Sequence, residues 1–125
     1  MKKKKLLIVD DEEEFRELAR VAAERVGFDV TDTSNATDFK RAFKSQEPTT
    51  VLLDVIMPET DGVELIQWLA TQKCRASIVV ATGYSENYTE MIQKLGDALG
   101  LESISILRKP ASISDLRRAI TANNE

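Results

Sequence analysis

Lys5-Leu6-Leu7-Ile8-Val9-Asp10-Asp11-Glu12 is the stretch that decides how this chain folds. Four apolar residues rich in branched side chains are closed abruptly by acids. An unbroken apolar run of this length reads as a strand covered on both faces, the pattern of a parallel sheet. It is far too short to cross a bilayer. Short β-rich runs, several of them nearly continuous in apolar residues, recur along the chain and predict strands over Asp29–Thr33, Thr50–Asp54, Ile78–Thr82 and Ser103–Leu107.

Helical periodicity fills each interval. Phe15, Leu18, Ala19, Ala22 and Val26 fall on one stripe, which Gly27 ends. Ala36, Phe39 and Phe43 mark a second helix with Ser34 or Asn35 as N-cap. Val63, Ile66, Leu69 and Ala70 mark a third. Tyr88, Met91, Ile92, Leu95 and Leu99 mark a fourth, ended by Gly100. Ile113, Leu116 and Ile120 mark a fifth, with Ser112 and Asp115 spaced as a capping box. Five strand-helix units predict an α/β fold of three layers, a doubly wound five-stranded parallel sheet between helices. The flavodoxin-like strand order 2-1-3-4-5 is expected for it. Residues 1–125 are expected to form a single domain. The fifth helix is read as ending near Thr121, with residues 122–125 a polar tail and no linker or output domain in this chain.

Composition narrows the function. The 17 basic and 21 acidic residues leave a net charge of −4, which argues against direct DNA binding as the main role. Lys2 to Lys5 is the basic run, and it reads as a solvated lead-in to the first strand. No export signal follows it and no membrane span is present, so the expected location is cytoplasmic. The single cysteine, Cys74, has no partner for an internal disulfide and fits a reducing compartment. The chain has no histidine. That removes Ser-His-Asp and Cys-His catalysis and the common zinc sites, so any metal here is held by oxygens.

In open α/β sheets, ligands bind outside the carboxyl ends of the strands. The first strand ends at Asp10-Asp11, the third at Asp54, the fourth at Thr82-Gly83 and the fifth at Lys109-Pro110. Acids, a hydroxyl and a lysine thus converge on one rim. Two carboxylates ~4 Å apart repel by about 4 kcal/mol at an effective dielectric near 20, so such a cluster either raises its own pKa values or recruits a divalent cation. Mg²⁺ suits the site, with Mn²⁺ as the alternative ion, because it takes few carboxylates plus water and phosphate. The site reads as carboxylate phosphorylation with Asp54 as nucleophile, Lys109 offsetting added charge and Thr82 supplying a hydroxyl. Each residue also has a plainer reading. Asp10-Asp11 could cap the first helix, Asp54 could form a turn and Thr82 could be an ordinary strand residue. Glu12 to Glu14 are assigned to the helix dipole alone, and Asp61-Gly62 to a cap and loop.

These motifs resemble the receiver domains of two-component response regulators over essentially the whole chain. The matching segments are Ile8-Val9-Asp10-Asp11-Glu12, Leu53-Asp54-Val55-Ile56-Met57-Pro58 with Asp61-Gly62, Ala81-Thr82-Gly83, and Lys109-Pro110. The resemblance implies that Asp54 takes a phosphoryl group from a phosphohistidine on a histidine kinase or histidine phosphotransfer protein. It implies direct Mg²⁺ ligation by Asp11, Asp54 and the backbone carbonyl of Ile56, with Asp10 acting through water. Thr82 and Lys109 would hold the phosphoryl oxygens. A downstream effector would bind the face of the fourth helix, fifth strand and fifth helix, and a phosphorylation-linked dimer is compatible with this. No turnover of external substrates is expected beyond the domain's own phosphorylation and dephosphorylation.

One position departs from the family pattern. Ile106 stands where an aromatic residue commonly follows the movement of the Thr, which puts that coupling in doubt. Tyr84 or Tyr88 would report the switch in its place. Ile56 and Tyr84 are also bulky enough to flank a phosphoryl group and slow attack by water. A haloacid-dehalogenase-type phosphatase is the competing enzyme class, but it needs a second Asp where Ile56 stands. Two further alternatives are a degenerate receiver used only for docking and an amino-terminal receiver of a longer regulator. Leu95-Gly96-Asp97-Ala98-Leu99-Gly100-Leu101 resembles receivers that precede cyclic-dinucleotide phosphodiesterase domains.

Overall fold

The computed structural model describes residues 3–55, 62–83, 86–101 and 103–122. Strands and helices alternate throughout: β1 (Lys5–Val9), α1 (Glu13–Glu24), β2 (Asp29–Thr33), α2 (Ala36–Gln46), β3 (Thr50–Asp54), α3 (Gly62–Thr71), β4 (Ser77–Thr82), α4 (Glu86–Ala98), β5 (Ile104–Arg108) and α5 (Ile113–Thr121). The strands form one parallel sheet in the order β2-β1-β3-β4-β5. No helix among the described residues is long and apolar enough to cross a membrane.

The alternation of side chains along each strand divides the core in two. Leu7, Val9, Val51, Leu53, Ile78 and Val80 pack with Phe39, Leu65, Ile66, Leu69 and Ile92 on one face. Leu6, Ile8, Leu52, Val79, Ala81 and Leu107 pack with Ala19, Ala22, Ala23, Leu116 and Ile120 on the other. β1 and β3 are buried nearly throughout, as continuous apolar runs in a covered parallel sheet should be. Phe39 is fully buried and sits edge-on to Trp68 at 6.2 Å between ring centroids. Its replacement by Ala is expected to cost about 3–5 kcal/mol through lost burial and an unfilled cavity. A lower urea midpoint with unchanged slope is the check.

Local chemistry sets the helix ends. The Asn35 side chain accepts from the Asp38 backbone N–H at 2.8 Å, so Asn35 rather than Ser34 caps α2. Ser112 and Asp115 complete the capping box of α5. The first helix stops at Glu24, before the expected Val26, and the chain turns at Gly27 with φ +90°. Val26 still packs on the core after the helix has ended. β4 begins one residue earlier than the apolar run, because the Ser77 N–H donates to the Thr49 carbonyl. β5 runs one residue later, because Arg108 stays in register with Thr82. Ile92 of α4 is buried, whereas Met91 on the same helix and Leu99 just past its end are 45% and 37% exposed. The apolar stripe there is broader than the surface that β5 offers it.

Candidate functional site

The parallel register brings the carboxyl ends of β1, β3, β4 and β5 to one rim. Asp10 follows β1, and its backbone N–H donates to Thr33 O on β2 at 3.1 Å. Asp54 is the last residue of β3, paired with Ala81. Thr82 closes β4, and its carbonyl accepts the Lys109 N–H at 3.0 Å just beyond β5. Lys109 and Pro110 are joined by a cis peptide bond. Asp10, Asp54 and Thr82 are 1%, 6% and 1% exposed, unusually deep for two carboxylates and a hydroxyl.

The Lys109 ammonium gathers the acids. Its Nζ lies 2.8 Å from Asp10 Oδ2, 2.8 Å from Glu12 Oε1 and 3.5 Å from Asp54 Oδ2. It also sits over the Phe15 ring, 4.3 Å from the centroid. Burial lowers the affinity of this lysine for its proton. The hydrogen bonds to Asp10 and Glu12, with the fields of Asp10 and Asp54, outweigh that and raise its pKa above the ordinary lysine range. Burial dominates at Asp10, whose pKa is raised despite Lys109 and the Glu12 backbone N–H, which donates to Oδ1 at 2.8 Å.

Among the described residues, Asp10, Glu12 and Asp54 are the acids whose oxygens come within 4.8 Å of one another. One ammonium against three carboxylates leaves an excess of negative charge. The donors are all carboxylate oxygens, a set that fits a hard divalent cation such as Mg²⁺. Asp11 is exposed at the bend after β1 and is not one of the three. Ile56, Tyr84 and Asp61 lie outside the described residues, as does the Tyr88 side chain. Ile106, opposite Val80, is half-buried against the core cluster shared with α2, α3 and α4.

Beyond the helix-dipole role that its position in the sequence suggests, Glu12 makes a further contact. It occupies the N-cap position of α1, but its side chain makes no capping hydrogen bond and turns to Lys109 instead. Gly62 does not merely cap a loop; it opens α3 and is buried there. A Cβ on Gly62 would stand 2.4 Å from Val55 Cα and 3.0 Å from the Asp54 carbonyl oxygen, so only glycine permits this approach. Gly62 is thereby held against the end of β3, its N–H donating to Val55 O at 3.0 Å.

Asp32 on β2 holds two arginines of α1. Arg16 Nε lies 3.2 Å from one carboxylate oxygen and Arg20 Nη2 bonds the other. Burial raises the Asp32 pKa, but the two guanidiniums prevail and hold it below its ordinary value of 3.8. Its stabilising effect is therefore present above that value and lost as pH falls through the lower folded-state pKa. An Asp32→Asn variant is expected to be less stable at neutral pH and to lose less stability than the parent between about pH 5 and pH 2. Urea midpoints across that range measure the difference.

Fold and rim together define a doubly wound α/β domain with a buried acidic site gathered by one lysine. The family model of the response regulator receiver domain matches residues 6–121, and the chain belongs to that family. It is 32% identical over 115 residues to the transcriptional regulatory protein GltR of Pseudomonas aeruginosa, covering 90% of this chain and 46% of that protein. It is 31% identical over 119 residues to the alkaline phosphatase synthesis transcriptional regulatory protein PhoP of Bacillus subtilis, covering 95% and 48%. The chain thus spans about half the length of these curated relatives. Among solved structures, the chemotaxis response regulator CheY4 of Vibrio cholerae superposes with a TM-score of 0.82 at 20% identity, over 97% of this chain and 98% of that one. A CheY-like receiver domain protein of Methanospirillum hungatei gives 0.80 at 21% identity, over 97% and 93%.

Proposed function

We propose that this receiver domain accepts a phosphoryl group on Asp54 in a Mg²⁺-dependent reaction and signals through the resulting change at Thr82. The supporting observation is the bridge from Lys109 to Asp10, Glu12 and Asp54, acids brought together from two different strand ends. An Asp54 carboxylate oxygen attacks phosphorus, an acyl phosphate P–O bond forms, and the P–N bond to the donor's imidazole breaks. The departing imidazole then takes a proton from solvent. Bound Mg²⁺ would neutralise charge between the acids and the incoming phosphoryl group, with Asp10, Asp11 and Asp54 as its side-chain ligands, the first through water. Glu12 joins this set on geometry. Lys109, already 3.5 Å from Asp54, is placed to pair with a phosphoryl oxygen. The domain acts on itself and turns over no external substrate.

A histidine kinase or histidine phosphotransfer protein is the proposed donor, since the chain carries no histidine of its own. The proposed effector surface is the face of α4, β5 and α5. Control of transcription is a second level of the same reading, favoured by the named roles of GltR and PhoP. A phosphate-independent docking module is separated from the proposed switch by a Mg²⁺ thermal shift. Mg²⁺ at ten times its Kd is expected to stabilise the chain by about 1.4 kcal/mol, several degrees in Tm. An unchanged Tm at saturating Mg²⁺ would favour the docking module.

A further inference from the structure

Arg16 reaches past its ion pair with Asp32. Its Nη1 donates to the main-chain carbonyl of Asp10 at 2.8 Å, while Nε donates to Asp32 Oδ2 at 3.2 Å. One planar guanidinium thus joins the acid rim to the neighbouring edge strand. That carbonyl belongs to the peptide linking Asp10 to Asp11, so its orientation governs where both side chains point. Asp32 is in register with Ile8 on β1, two residues before Asp10. The peptide on the amino side of Asp10 is also fixed, by its N–H to Thr33 O, and Thr33 Oγ1 donates to Ile8 O at 2.6 Å. Arg20, one turn further along α1, shares Asp32 but reaches only Val30 O and Glu24 besides. The two arginines therefore hold the same acid, and only Arg16 touches the rim.

Resting on the phosphoacceptor reading above, we propose that Arg16 is a positioning residue for the cation site, locking the Asp10–Asp11 peptide so that its acids are preorganised for Mg²⁺. The fork of the guanidinium is essential to this. A lysine ammonium on a flexible stem satisfies one acceptor well but does not span two fixed ones. Outer groups that orient ligands commonly alter metal affinity by an order of magnitude or more.

The test is a calorimetric MgCl₂ titration of the full chain and of Arg16→Ala, Arg16→Lys and Arg20→Ala. Arg16→Ala is expected to weaken Mg²⁺ about tenfold, and Arg16→Lys by nearly as much. Arg20→Ala, which also loses an ion pair to Asp32, is expected to stay within about twofold of the parent. A purely structural staple between α1 and β2 predicts another outcome, with both positions equal in Mg²⁺ affinity. Unchanged affinity in a cooperatively melting Arg16 variant would overturn the proposal, as would equal weakening by Arg20→Ala. If Arg16→Ala does not fold, Arg16→Lys decides alone. A parent that binds no Mg²⁺ would remove the cation site itself, and the role of Arg16 with it.

Discussion

Lys109→Ala is expected to destabilise the Mg²⁺-free protein by about 3 kcal/mol, a large part of the stability of a domain this size. The reason is the company the ammonium keeps. Asp10 and Asp54 are almost wholly buried, and Lys109 lies within 3.5 Å of both. Removing it leaves buried carboxylates that repel each other and lack a counter-charge. The variant has a clear way to recover, since the Asp10 pKa is already raised by burial and would rise further. The folded state then binds a proton that the unfolded state does not, so stability should climb as pH falls through that raised value. Mg²⁺ should also rescue the variant, giving it a larger thermal shift than the parent. Chemical denaturation at two pH values, with and without MgCl₂, reads all of this. A loss below about 1 kcal/mol would show that Lys109 does not hold the acids together.

Asp54→Asn is expected to abolish phosphoryl uptake and, in the same protein, to raise stability without Mg²⁺. The amide cannot form an acyl phosphate, so the effect on uptake is complete. The gain in stability follows from charge. Asp10, Glu12 and Asp54 crowd one ammonium, and the variant removes one of the three negative charges while keeping the shape of the side chain. The same change should weaken Mg²⁺ binding, because the cation loses an anionic ligand. Retained uptake in Asp54→Asn would move the acceptor to another residue.

Much of this was legible in the sequence, and for a physical reason. In a parallel sheet the carboxyl ends of the strands coincide, so finding Asp10, Asp54, Thr82 and Lys109 at strand ends already places them on one rim. The short β-rich runs marked β1, β2 and β3 at their observed limits. The limits of β4 and β5 shifted by a residue, because hydrogen bonding to a neighbouring strand, rather than apolar character, decides where pairing begins and ends.

The supporting groups were hidden. Glu12 at a helix start is equally well explained by the dipole, and its contact with Lys109 spans nearly the whole chain. Arg16 and Arg20 carry no sequence signal of their role, which exists only once β2 brings Asp32 beside them. Gly62 gives no sign in sequence of why it must be glycine, since the clash is with the backbone of Val55, seven residues earlier in the chain. Each of these depends on tertiary distance, which periodicity does not encode.

The most direct measurement is the intact mass of the chain after incubation with acetyl phosphate, with MgCl₂ and with EDTA, followed by mapping of the modified residue. The account predicts one added phosphoryl group, on Asp54, only when Mg²⁺ is present. Uptake at another residue, or uptake that ignores Mg²⁺, would contradict it.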